Sequence, residues 1–69
     1  MTVDDVKTRL IEVAKLAIAG DFEAAHSAED SLLVDVLQAI AGGNDDGCAP
    51  ELARQALRSR GLSFKRVCS

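Results

Sequence analysis

Apolar residues recur at helical spacing through three segments of the chain, and polar residues occupy most of the positions between them. Recurrence at three- and four-residue intervals is typical of amphipathic α-helices, whereas half-buried strands alternate at every second residue. The pattern predicts one all-α domain, a small three-helix bundle with helices at about residues 3–19, 28–41 and 50–60. Residues 61–69 are too few for an independent sheet, and we expect this tail to form a short C-terminal strap over one end of the bundle.

The first predicted helix has a broad apolar surface. Its core face consists of residues about one turn apart: Val6, Leu10, Val13 and Ala17. Ile11 and Ile18 lie on one flank of this face and Leu16 lies on the other, so the apolar arc exceeds the roughly 100° that one neighbour covers. We therefore expect this helix to contact more than one partner, and Ile11, Leu16 and Ile18 to supply an interface with another chain. The alternative is that helix 3 and the tail around Phe64 cover those flanks.

The other two predicted helices each have one apolar face. In the central helix, Val34 falls outside the apolar stripe, and the inward positions are predicted to be Leu32, Leu33, Val36, Leu37 and Ile40. In the third helix, the inward positions are predicted to be Leu52, Ala53, Ala56 and Leu57.

Capping and helix-breaking residues mark the expected helix ends. Thr2 is placed to cap the first helix, and Gly20 is placed to end it. Residues 42–43, both glycine, are expected to close the central helix, and Pro50 suits the first turn of the third.

The start of the central helix is less sharply marked. Ser27, followed by Glu29 and Asp30, has the composition of a helix start, although residues 21–41 could also form one bent helix. His26 stands beside these residues and is the only histidine. We interpret this group as capping residues, because general acid–base catalysis needs a second reactive group that no motif of the sequence provides.

Charge is unevenly distributed along the chain. Residues 1–46 contain ten acids and three bases, or −7, whereas residues 47–69 contain one acid and five bases, or +4. The basic residues could pair with acids within the fold, contact a protein, or bind nucleic acid. We assign them to an interaction surface, with a protein partner expected before nucleic acid: Arg54, Arg58, Arg60, Lys65 and Arg66.

The segment "GGNDDGCAP", residues 42–50, resembles part of a calcium-binding loop. Aligning Gly47 with the invariant glycine of such a loop places Gly42 and Ala53 where the first and last carboxylates belong. Because both anchoring carboxylates are missing, we predict a turn and no metal site. Gly, Asn and Asp are the residues that turns favour.

The remaining sequence features indicate a protein without a cofactor. Cys48 and Cys68 are twenty residues apart and form no redox motif, so we expect free, reduced thiols and a cytoplasmic location. The first twenty residues lack the charged and apolar regions of a signal peptide, and no apolar run is long enough to span a membrane. We expect no catalytic, cofactor-binding or metal-binding residues, and therefore no enzyme.

From His26 onward the chain resembles a group of small helical proteins of mycobacteria, other actinobacteria and their phages. The resemblance lies in "HSAEDSL", "ELARQAL" and the ending "LSFKRVCS". It covers about the last forty-four residues, and Val67 stands where those proteins have a tryptophan. The resemblance implies an actinobacterial or phage setting, and it implies no reaction.

Together these features predict a non-enzymatic protein-interaction module that self-associates. A phage product acting on a host protein would be one form of such a module. The alternative is a small nucleic-acid-binding regulator that uses the basic C-terminal third. We expect no membrane partner.

Overall fold

A computed structural model describes residues 1–62, and the described part of the chain is entirely α-helical apart from turns. Its elements are α1 (Val3–Ile18), α2 (Phe22–Ala41), α3 (Ala49–Leu57) and a final 3₁₀ helix (Arg58–Gly61). The predicted all-α, three-helix fold is confirmed. The predicted strap falls almost wholly on residues 63–69, which lie outside the described residues.

The ends of α1 follow the predicted capping. The Asp5 backbone N–H donates to the Thr2 hydroxyl oxygen at 3.2 Å, and the Thr2 N–H donates to the Asp5 carboxylate at 2.9 Å. These hydrogen bonds, the one from the Thr2 backbone above all, hold the pKa of Asp5 below its usual value. At the other end, Gly20 has a φ of +81° and donates its N–H to the Ala17 carbonyl, so the chain turns directly into α2.

The start of α2 differs from the prediction. α2 is one continuous helix of 20 residues that begins at Phe22, and the Asp21 carboxylate caps it by accepting from the Ala24 N–H at 3.2 Å. The start expected at residues 27–30 is therefore not used, because Asp21 already provides the cap, and the alternative of one helix over residues 21–41 is the one that the structure shows. Glu29, three residues before Leu32 on the inward stripe, is only 1% exposed.

The core lies where the three helices meet. Its central cluster consists of Val6, Leu32, Val36, Leu52 and Ala56. Partly buried side chains pack against that cluster: Met1, Val3, Leu10, Leu33 and Ile40. α1 contacts α2, α3 and the 3₁₀ helix, which confirms that it meets more than one partner.

Two leucines predicted to face the core are exposed instead. Leu37 of α2 is 66% exposed, and Leu57 of α3 is 63% exposed. Each leucine directly follows a buried residue and is therefore rotated about 100° around the helix from it. Because the buried stripe is narrow, that rotation places the leucine outside the core. The third helix is also shorter than predicted, because the α-helix ends at Leu57 and the 3₁₀ helix continues to Gly61.

Candidate functional site: a groove beside α1

An apolar groove runs along α1 next to the end of the described chain. Its larger part has a volume of about 400 Å³ and is lined by Lys7, Leu10, Ile11, Ala14, Arg58 and Leu62. A smaller part of about 180 Å³ is lined by Ala14, Ala17, Ile18 and Leu62. Because the two parts share Ala14 and Leu62, we treat them as one surface and call it the α1 groove.

The shape of the α1 groove follows from the register of α1. Leu10, Ala14 and Ala17 recur at helical spacing next to the buried stripe, and the two small alanines leave room above the backbone. Ile11 and Ile18 lie on the side facing away from the core, where they are 55% and 87% exposed. Two large apolar side chains therefore border an apolar floor and remain in contact with water.

Two cations line the larger part of the α1 groove. Lys7 and Arg58 both line its larger part, and the Arg58 guanidinium donates to the neutral Gln55 side chain at 3.0 Å. Within residues 1–62, neither cation lies within ion-pair distance of a carboxylate. The other arginines of this range do have acidic neighbours: Arg9 with Asp35 at 2.6 Å, Arg54 with Glu51 at 2.5 Å and Arg60 with Glu29 at 3.9 Å.

The structure brings together two of the three predicted interface residues of α1. Ile11 and Ile18 lie within about 20° of each other around the helix, whereas Leu16 lies about 140° from Ile11 on the other side of the buried stripe. Leu16 is also half-buried. The α1 groove therefore includes the isoleucines and excludes Leu16.

The predicted basic residues do not gather on one side of α3. Arg58 faces α1, whereas Arg60 faces the buried Glu29 of α2. Arg54 pairs with Glu51, whose pKa is lowered first by a hydrogen bond from the Gln55 side chain and then by the Arg54 charge. The described arginines thus form no continuous basic face of the kind that the nucleic-acid alternative needs. Lys65 and Arg66 lie outside the described residues.

His26 lies away from the α1 groove. Its Nε2 is 3.0 Å from an Asp30 carboxylate oxygen, one helical turn along α2. This pair lines neither part of the α1 groove. His26 and Asp30 are thus neighbours within one helix and not groups that converge on a cavity.

The segment after α2 forms the predicted turn. The Asp45 carboxylate accepts from the Gly47 N–H at 3.0 Å, and the Cys48 N–H donates to the Asp45 carbonyl at 2.9 Å. Asp46 and Gly47 have φ angles of +55° and +74°, which turns favour and helices exclude. Nowhere in residues 1–62 do three or more His, Cys, Asp or Glu side chains gather as a metal-binding group. Cys48 is exposed and in the thiol form, and Cys68 lies outside the described residues.

Comparison with protein-family models, with curated proteins and with solved structures found no match to this chain. The resemblance to actinobacterial and phage proteins therefore stays a prediction. None of the helices described here is both long and apolar enough to cross a membrane.

Proposed function

We propose that this protein is a non-enzymatic interaction module and that the α1 groove is its contact surface. The observation that carries the proposal is the exposure of Ile11 and Ile18, at 55% and 87%, beside an apolar floor. An exposed apolar surface rimmed by charged residues is typical of protein-binding sites. Burying a fully exposed isoleucine contributes roughly 1.5–3 kcal/mol, and Ile11, which is 55% exposed, would contribute about half of that.

The dimensions of the α1 groove favour a helical partner. The groove follows α1 from Lys7 to Ile18, eleven residues apart, and at a helical rise of 1.5 Å per residue this is about 16 Å. A segment of that length is three turns of helix. An amphipathic helix can place three or four side chains, spaced three or four residues apart, along such a surface.

We expect a second copy of the chain to be the first partner. The surface opposite the core already exposes large apolar side chains in the single chain, and self-association would remove them from water. A host protein is a further partner if the resemblance to phage proteins holds.

Sedimentation equilibrium over a hundredfold range of protein concentration tests this function. We expect the average mass of the parent protein to rise above 7.3 kDa with concentration. Ile11→Glu and Ile18→Glu should shift the rise to higher concentration while leaving the circular dichroism spectrum helical. Thr8→Glu is the matched control, because it adds the same charge at an exposed position of α1 that does not line the groove.

The proposal fails if the parent stays at 7.3 kDa throughout that range. It also fails if Thr8→Glu weakens association as much as the isoleucine variants do. Unfolding of both isoleucine variants, with a monomeric parent, would show instead that Ile11 and Ile18 belong to the core.

A further inference from the structure

We infer that the α1 groove receives the outward face of α2 from a second copy, so that the chains associate head to tail. This inference rests on the proposed function and names the partner surface. It is carried by a second exposed apolar surface, whose length and charge match those of the α1 groove.

The second surface is a stripe of residues on α2. Asp30, Val34, Leu37 and Ala41 recur at intervals of four, three and four residues, and all four are exposed. Val34 is 50% exposed and Leu37 is 66% exposed, although both belong to the longest helix of the bundle. We call these four residues the α2 stripe.

The α2 stripe and the α1 groove have equal lengths. Asp30 and Ala41 are eleven residues apart, as are Lys7 and Ile18, so each surface extends over about 16 Å. A straight helix can therefore contact the whole groove without a bend. Val34 and Leu37 would then lie over the floor formed by Leu10, Ala14 and Ala17.

The charges fix the direction in which the two surfaces meet. The α2 stripe has its carboxylate, Asp30, at one end and apolar residues along the rest. The α1 groove has Lys7 at the end near the start of α1 and Ile18 at the other end, and Arg58 lines its larger part. Asp30 meets Lys7 only when α2 of one copy runs parallel to α1 of the next. The Asp30 side chain is 63% exposed, and its second oxygen can accept hydrogen bonds while the first pairs with His26.

Two other occupants match these charges less well. In a symmetric pairing of two α1 grooves, the lining residues within residues 1–62 offer no carboxylate to Lys7 and Arg58. The chain's own C-terminal residues 63–69 include Lys65 and Arg66 and no acid, so they would bring like charges to the same end. The α2 stripe combines apolar side chains with an acid at the required end.

A pairing of two different surfaces has a consequence that a symmetric dimer lacks. Each copy keeps one unused groove and one unused stripe, so association continues into rings or chains of copies. A variant that has lost one surface can still bind a neighbouring copy through its other surface, but no further copy can then add to it.

A mixing experiment with two variants tests the inference. Ile18→Glu damages the α1 groove and leaves the α2 stripe intact, and Leu37→Glu does the reverse. We expect each variant alone to be monomeric by sedimentation equilibrium at concentrations where the parent associates. Mixed in equal amounts, the two should form a dimer and nothing larger, because one intact groove meets one intact stripe.

Charge exchange supplies a second measurement on the same interface. Lys7→Glu and Asp30→Lys should each raise the dissociation constant about tenfold, because each places like charges together. The double variant restores opposite charges between neighbouring copies and should recover most of the lost affinity.

Four results would overturn the inference. If Leu37→Glu associates as tightly as the parent, or the mixture stays monomeric, the α2 stripe is not the occupant. The first of these leaves the proposed function standing, whereas a parent that never associates contradicts both proposals. If the parent is monomeric and Phe64→Ser makes it associate, the groove belongs to the chain's own C-terminal residues.

Discussion

Leu32 and Leu37 are the same kind of side chain on the same helix, yet one is completely buried and the other is 66% exposed. α1 shows the same contrast between the fully buried Val13 and the largely exposed Ile18. Residue type therefore does not decide which apolar side chains enter the core of this bundle. Helix register decides it, because a small three-helix bundle covers only a narrow stripe of each helix. The apolar side chains outside that stripe are the ones available to a partner.

The largest expected effect follows directly from this comparison. Leu32→Ala should lower the free energy of unfolding by about 2–5 kcal/mol, because it leaves a cavity among fully packed neighbours. Leu37→Ala makes the same chemical change at an exposed position and should alter that free energy by less than about 0.5 kcal/mol. Urea denaturation at a protein concentration too low for self-association measures both.

Equal losses from the two alanine variants would contradict the comparison, because they would place Leu37 in the core as well. The α2 stripe would then lose its central apolar residue. A large effect at Leu32 with a small effect at Leu37 supports the register on which the α2 stripe depends.

A smaller effect on stability is expected at the turn between α1 and α2. Gly20 has a φ of +81°, and a Cβ added there would meet no atom within 4 Å, so only the backbone conformation opposes a side chain. Gly20→Ala should therefore cost about 1–2 kcal/mol, the penalty for an L-residue in the left-handed region. Gly61→Ala is the matched control: Gly61 lies outside the positive-φ region, and its Cβ would also meet nothing within 4 Å.

Thermal or urea unfolding of both glycine variants measures the two losses of stability. The difference between them is the cost of the left-handed backbone at residue 20, because both variants replace glycine with alanine. Equal stability of Gly20→Ala and Gly61→Ala would show that the turn between α1 and α2 does not need a left-handed residue. The entry of α2 into the bundle would then have to be explained by packing alone.

The sequence was sufficient to predict the fold class and the positions of Ile11 and Ile18 away from the core. Apolar periodicity predicted three helices, and the angular positions of Ile11 and Ile18 placed them beyond the reach of one neighbouring helix. These predictions succeeded because both depend on residue spacing within one helix. The presence of Lys7 and Arg58 in the same groove could not be found in this way, because it depends on how α1 and the 3₁₀ helix pack.

The start of α2 shows why local signals can mislead. Asp21 and Ser27 are both good capping residues, and sequence alone favoured the later one because two acids follow it. The structure uses Asp21, since the intervening alanines continue the helix without interruption. Glu29 is three residues before Leu32 and seven before Val36, so it lies on the inward stripe, although the charge of its side chain does not suggest burial.

The smallest expected effect concerns the first turn of α1, which holds Val6 in register with the core. The pKa of Asp5 lies below its usual value of 3.8, because the carboxylate accepts the Thr2 backbone N–H and the Thr2 side chain adds to this effect. A lowered folded-state pKa means that the ionised carboxylate stabilises the fold above the unfolded-state value, and that this stabilisation is lost as the pH falls through the folded-state value. We therefore expect unfolding experiments between about pH 5 and pH 2 to show a shallower loss of stability for Asp5→Asn than for the parent. Asp4→Asn removes the same charge at the neighbouring exposed position and is the matched control. If Asp4→Asn flattens the dependence of stability on pH as much as Asp5→Asn does, the acid sensitivity comes from the general charge of the helix start. The hydrogen-bonded pair of Thr2 and Asp5 would then not hold the first turn.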